Sequence, residues 1–414
     1  MKARYFLIAI MLMMSGALGA QQRCDAYQYM QQQIAADPSL RLRLDAIETF
    51  TRNHSNVSNY TSRTESKNTI RIPVVVHVLY HTAAENISDA QIQQQLNILN
   101  KCFRRQNPDT VNTPSYFKTL AADAGFEFVL ATSDPRKHST SGIIRKYTPV
   151  ALWQEDDKMK FSSETGDDAW DCKSYLNIWV CNLDRVMGYS TIPGGPADKD
   201  GLVIGTAVFG GNNDFTSGKT VVHEAGHWLN LKHLWGDAYC GDDGVADTPK
   251  QSGYNISCPT GIRKSCGNDA NGDMYMNYMD FTSDACMNMF SAGQVARMRV
   301  LFDAGGARSS ILSSTGLDVP AIFESPLPAD DPRWMHPQLY PNPASSSITL
   351  DVAYDARWVG KSVQIANVQG QVVMTVVINS KYQQINISNL KPGIYFMMAK
   401  KDDGATIKEK FVRM

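Results

Sequence analysis

Eleven residues, His223 to His233, read HEAGHWLNLKH and constrain the local fold more than any other stretch of the chain. Residues four apart on an α-helix share a face, so His223 and His227 point their imidazoles at one place, with Glu224 beside them. His233 joins them only if the helix stops after about Leu229 and the chain reverses. Such a reversal needs a residue at positive φ; Gly does this most easily, Asn is the best of the rest, and Asn230 stands there. The stretch is read as a buried helix, a tight turn and a returning histidine.

Three neutral imidazoles suit a catalytic zinc ion, which takes three protein ligands and keeps one position open. Glu224 then lies where it can act as base on a water in that position. A bare HExxH occurs by chance on many helices. The third histidine and Asn230 distinguish this one, whereas His54, His77, His81, His138 and His336 lack such partners and read as surface or core residues.

The flanking sequence supplies a sheet for that helix to rest on. TIRIPVVVHVLYH, FEFVLAT, YLNIWVCNL and DGLVIGTAVFGG read as strands, and GKTVVHEAGHWLNL as the helix that follows the last of them. In SDAQIQQQLNILNKCF, Ser88 is an N-cap and Ile92, Leu96, Leu99 and Phe103 form one apolar stripe. The expectation is an α/β layer.

A chain of 414 residues exceeds one ordinary domain. Residues 1–20 have the layout of a secretory signal peptide: Lys2 and Arg4, a short apolar run, then small residues. Residues 21–67 are polar, with a helical pattern over DAYQYMQQQIAADPSLRLRLDAIETF and an exposed end, and read as a detachable leader. A catalytic unit over 68–312 follows, then a linker over 313–336 rich in Ser, Pro and Asp. Residues 337–414 alternate in short strands, a small all-β sandwich. The net charge of −1 gives no sign of a nucleic-acid partner, and no later run is long enough to span a membrane. Export allows the eight cysteines to pair, although spacing alone does not fix how.

HEAGHWLNLKH resembles the long zinc motif of metzincin metallopeptidases, with Asn230 in place of the usual glycine. IRIPVVVHVLY, YLNIWVCNL, DDGVADTP and NYMDFTSDACMNMFSAGQVARMR are similar to the pappalysin family, over roughly Cys24 to Leu312. The resemblance implies an α/β zincin (metzincin) catalytic domain with an irregular lower half and a Met-turn at Met279. It also implies disulfides Cys240–Cys266 and Cys258–Cys286. By the same resemblance Asp284 lines the specificity pocket, favouring Arg, and less well Lys, immediately after the scissile bond. Asp243, Asp247 and Thr248 become calcium ligands, against a plain acidic loop. Cys24 occupies the open zinc position as a cysteine switch, unless it pairs with Cys102, Cys172 or Cys181. One departure stands out: members commonly carry a tyrosine two residues after the Met-turn methionine, and this chain has Phe281. LYPNPASSSITL, NVQGQVV, LKPGIYFMMAK and IKEKFVRM resemble the C-terminal sorting domain of the type IX secretion system.

The reading is thus a secreted or cell-surface zinc endopeptidase made as a latent zymogen, acting on protein or peptide substrates and exported by the type IX machinery. The alternatives are a surface adhesin on a metzincin scaffold, motivated by Phe281, and a zinc hydrolase of non-peptide amides.

Overall fold

The computed structural model describes residues 23–55, 69–211, 217–321, 337–352, 355–401 and 406–414. The segment expected to be a signal peptide, the polar end of the expected leader at 56–67, His336 and most of the expected linker lie outside the described residues.

The central sheet grows around β1, Ile70–Tyr80, whose residues from Ile72 onward are all buried. A strand covered on both faces reads as a continuous apolar run, and this one does. Its first half pairs in parallel with β2, Phe126–Leu130, and its second half with β3, Ile143–Tyr147, along the same edge. On the other edge follow β4, Leu176–Cys181, then β6, Leu202–Gly205, both parallel. The three-residue strand β5, Gly188–Ser190, pairs antiparallel with β6 and closes that edge. β3 and β5 were not anticipated: IIRKY has little alternation, and three residues carry no period to read. The run DGLVIGTAVFGG is strand only as far as Gly205, after which Thr206–Val208 turns as a 3-10 helix.

Helix α3, Asp89–Phe103, is capped by Ser88, whose side chain accepts from Gln91 N, and buries Ile92, Leu96, Leu99 and Phe103. It shares one face of the sheet with α4, Lys219–Trp228, in a core containing Ile178, Val180, Ile204, Val222 and Trp228. The opposite face carries Leu79, Trp179, Cys181, Tyr189 and Val203. The helical pattern near the start of the described chain is two helices, α1, Ala26–Ala36, and α2, Ser39–His54, broken at Asp37-Pro38 because proline offers no N–H to continue the first.

From Leu229 to Ser291 there is no regular helix or strand, until α5, Ala292–Arg299. Disulfides Cys240–Cys266 and Cys258–Cys286 staple this irregular half, each closing a loop of under thirty residues. Cys24, Cys102, Cys172 and Cys181 form no disulfide. From residue 337 onward, seven strands among the described residues form two antiparallel sheets, ordered β10-β9-β12-β13 and β11-β8-β7. These are β7 Gln338–Tyr340, β8 Ser347–Asp351, β9 Ser362–Asn367, β10 Val372–Val377, β11 Tyr382–Asn386, β12 Gly393–Lys400 and β13 Thr406–Arg413. Their shared core includes Ile348, Leu350, Trp358, Ile365 and Phe411, a small sandwich.

Candidate metal centre

Helix α4 ends at Trp228, with Leu229 as its C-cap, and Asn230 takes φ of +68°. The chain then turns under the helix end, and His233 returns beside His223 and His227. The three Nε2 atoms lie 3.1, 3.1 and 3.3 Å from one another. Each Nδ1 faces an atom that can only accept: Tyr278 O at 2.6 Å from His223, Leu231 O at 2.9 Å from His227, and a carboxylate oxygen of Asp237 from His233. Each Nδ1 is therefore the donor, and each Nε2 turns its lone pair inward. Burial, reinforced by the neighbouring imidazoles, keeps His223 well below its ordinary pKa and lowers His227 to about 3. Three neutral nitrogens with converging lone pairs repel unless a cation stands between them. Nitrogens about 2.05 Å from a tetrahedral centre lie about 3.3 Å apart, so the trio fits zinc.

The floor is equally specific. Met279 is fully buried, and a Cβ built at Gly226, in the last turn of α4, would lie 2.5 Å from Met279 Sδ. The glycine of HEAGH is thus a contact surface for the methionine. Asn277 holds the turn, accepting from Met279 N at 2.9 Å and bonding Gln294 of α5.

Glu224 is fully buried and takes a hydrogen bond from Ser190 Oγ at 2.9 Å on Oε2. Burial pushes it up to about 7, against the hydrogen bonds from Cys24 and Ser190 that favour the carboxylate. Neither Ser190 nor Asp237 was marked in the sequence. Ser190 lies on the unread strand β5, and an aspartate four residues after a histidine is too common a pairing to single out.

Cys24 is buried against this group, its sulfur clustered with the three imidazole nitrogens within 4.8 Å of one another. Its neighbour Arg23 pairs with Asp284 and donates to Thr282 O at 2.6 Å. Asp284 uses its other oxygen to accept from Lys219 N at 2.9 Å, at the first residue of α4. The acid therefore anchors the histidine helix and faces Arg23 together.

Phe281 forms an aromatic wall over the site, with ring centroids 4.9 Å from His233, 5.0 Å from Trp235 and 5.2 Å from Tyr254. Trp235 and Tyr254 lie outside the histidine motif, so no local pattern marks them. The acidic loop is split. Thr248 Oγ1 donates to Asp243 at 2.9 Å, but Asp247 turns away to accept from Ser291 Oγ and Gly293 N at the start of α5. Among the described residues, His77 bonds Asp167 and Asn177 in the sheet, and His54 and His81 bond backbone carbonyls.

Residues 160–303 match the pregnancy-associated plasma protein-A family, and residues 338–413 match the secretion system C-terminal sorting domain. An extracellular metalloprotease of Arthroderma gypseum is 30% identical over 258 residues, covering 58% of this chain and 76% of the relative. The structure of Tannerella forsythia mature mirolysin in complex with a cleaved peptide is similar at 48% identity and a TM-score of 0.58, covering 59% of this chain and 96% of that one. A T. forsythia promirolysin mutant is similar at 43% identity and a TM-score of 0.64, covering 70% and 97%. No helix among the described residues is long and apolar enough to cross a membrane. The chain belongs to the pregnancy-associated plasma protein-A (pappalysin) family and is a secreted or surface-attached metallopeptidase with a C-terminal type IX sorting domain.

Proposed function

We propose that the chain is a zinc endopeptidase in which His223, His227 and His233 hold the metal, Glu224 is the general base, and the leader keeps the site closed until it is removed. The observation that carries this is the convergence of three lone-pair-bearing Nε2 atoms beside one buried carboxylate. Zinc held there supplies the Lewis acidity that polarises a scissile carbonyl and activates water for attack. Glu224 accepts the proton from that water and passes it to the departing amine. Ser190 fixes one Glu224 oxygen, leaving the other to handle the proton. The adhesin alternative loses ground here, because a scaffold that only binds has no use for a buried base held at a set angle.

Specificity is read from Arg23. Its guanidinium pairs with Asp284 as a substrate side chain would, which supports a preference for Arg, and less well Lys, immediately after the scissile bond. Latency is read from Cys24. Burial and the nearby Glu224 carboxylate raise its thiol pKa, but a thiol that coordinates a cation gives up its proton to that charge. Cys24 thus occupies the place that water needs. A promirolysin relative among the similar structures is in keeping with a zymogen.

Calcium is proposed in a narrower form than the sequence suggests. Asp243 and Thr248 remain side-chain ligands, while Asp247 accepts from the N-cap Ser291 and from Gly293 in the first turn of α5. The divisions follow the same reading: signal peptide 1–20, leader 21–67, peptidase 68–312, linker 313–336 and sorting domain 337–414.

Glu224→Ala is the test. Bound zinc with loss of nearly all peptide cleavage is expected, and cleavage retained by that variant at a comparable rate would overturn the mechanism.

A further inference from the structure

Five residues beyond Cys24, Tyr29 points into the body of the enzyme and is 3% exposed. Its ring lies 4.9 Å from that of Tyr189. Lys160 Nζ stands 5.1 Å from the ring centroid, and the tyrosine hydroxyl donates to Asp157 Oδ2 at 3.0 Å. A cation over a ring face, an aromatic wall and a carboxylate acceptor are the features that recognise a phenol.

Groups outside the leader hold this seat in shape. Lys160 pairs with Asp157 Oδ1 at 2.9 Å and donates to Lys199 O at 2.8 Å. Lys199 pairs with Asp157 Oδ2 at 3.1 Å, and the Tyr189 hydroxyl reaches Asp157 Oδ1 at 3.3 Å. An ordinary core tyrosine needs one partner for its hydroxyl and is otherwise wrapped in apolar side chains. Tyr29 covers a buried ion pair as well, and it and Ala26 are the fully buried residues of α1. Leader removal takes away the plug and leaves the polar floor.

The seat also lies on the peptide's path. Tyr189 is the middle residue of β5, the edge strand whose next residue, Ser190, bonds Glu224. An extended substrate lying along that edge sends alternate side chains to the two faces of the sheet, so one set points toward Tyr189. The leader runs from Asp284, at Arg23, past the imidazoles, at Cys24, and on to the seat. One extended step to Asp25, whose carbonyl accepts from Tyr29 N at 2.9 Å, and four helical rises place Tyr29 at most about 9 Å beyond Cys24, a span that falls between the third and fourth residues of an extended peptide counted back from the bond.

We infer that the Tyr29 seat, once vacated, is a substrate subsite selecting tyrosine three to four residues before the bond that is cut. This rests on the proposed reading that the leader is removed and that Asp284 receives the residue after that bond. Phenylalanine would fill the seat and meet Lys160 but would leave Asp157 one donor short. Alanine would do neither.

The test uses the full chain after activation, with peptides carrying Arg after the scissile bond and Tyr, Phe or Ala at each of the second to fifth positions before it. At one position, kcat/KM about ten-fold higher for Tyr than for Phe is expected, with Phe above Ala. Asp157→Asn should bring the Tyr-to-Phe ratio at that position to within about two-fold. Cleavage before Arg with ratios within about two-fold at all four positions in the unaltered enzyme would overturn the subsite and leave the zymogen reading standing. Failure to cut before Arg would overturn both.

Discussion

Ser190 donates its hydroxyl hydrogen to Glu224 Oε2 at 2.9 Å, where both side chains are closed to solvent. The pair joins the sheet's edge strand to the histidine helix, and a Cβ on nearby Gly188 would approach Glu224 Cγ to 3.3 Å. Ser190 thus holds the carboxylate, and Gly188 leaves room for the glutamate stem. Ser190→Ala should lower kcat about ten-fold with KM and zinc content little changed, and Ser190→Thr should restore most of the loss. Steady-state kinetics with metal analysis decides it: a change in KM alone would show that the bond serves substrate binding.

Asp284 has two tasks, and two substitutions separate them. Asp284→Ala removes both the charge facing Arg23 and the acceptor for Lys219 N. Asp284→Asn keeps an acceptor for the helix and loses only the charge. Both should reduce the preference for Arg after the scissile bond, by about a hundred-fold, whereas only the alanine variant should lose several degrees of thermal midpoint as well. Cleavage-site profiling beside thermal melts gives both readouts, and an unchanged preference in the asparagine variant would remove Asp284 from the pocket.

Cys24 predicts the behaviour of the uncut chain. In full-length Cys24→Ser a hydroxyl replaces the sulfur beside the three imidazoles, a poorer ligand for zinc than thiolate. The variant should cleave peptides before its leader is lost, or shed the leader much sooner than the parent. A time course of activity against leader removal on a gel measures this, and a variant as latent as the parent would place the closure in Arg23 and the helices instead.

The path from sequence to site was short where geometry is local. HEAGHWLNLKH encodes its own helix, its stop at Asn230 and its returning ligand within eleven residues, so the triad could be read directly. The sheet was legible where strands are buried on both faces, as in β1 and β4, and illegible at β5, where three residues carry no pattern. That loss mattered, because β5 brings Ser190 against Glu224 and Tyr189 against Tyr29. Partners far apart in the chain were also hidden: Asp157 meets Tyr29 across 128 positions, and no local period reports such a contact. Asp247 illustrates the converse. Its neighbours in sequence suggested a calcium ligand, while its carboxylate is engaged by the start of a helix more than forty residues on.

Asp157 gives a pH signature that does not involve the metal centre. Burial alone would raise its pKa, but the ammonium groups of Lys160 and Lys199 outweigh that and hold it below the ordinary 3.8. A group depressed in the folded state contributes stability that is fully present above its unfolded value and is lost as pH falls through the folded value. The full chain should therefore lose stability on the acid side below about pH 4, and Asp157→Asn should flatten that limb while lowering the midpoint at neutral pH. Thermal melts between pH 2 and 7 test it, and an identical acid limb in the variant would assign the loss to other carboxylates.

Phe281 poses the question of how fast this site can be. Its ring stands 5.5 Å from His223 and 4.9 Å from His233, at the mouth of the candidate metal centre, with no hydroxyl to offer a carbonyl acquiring negative charge. A single preorganised donor at such a place contributes about a hundred-fold to kcat in enzymes that have one. Phe281→Tyr keeps the packing against Trp235 and Tyr254 and adds only the donor. The variant should raise kcat by about ten-fold, less than the full value because the surrounding aromatics were not shaped for a hydroxyl. Should kcat stay level while KM changes, the added hydroxyl meets the bound substrate but not its transition state, and the polarisation of the carbonyl falls to the metal and to groups already present.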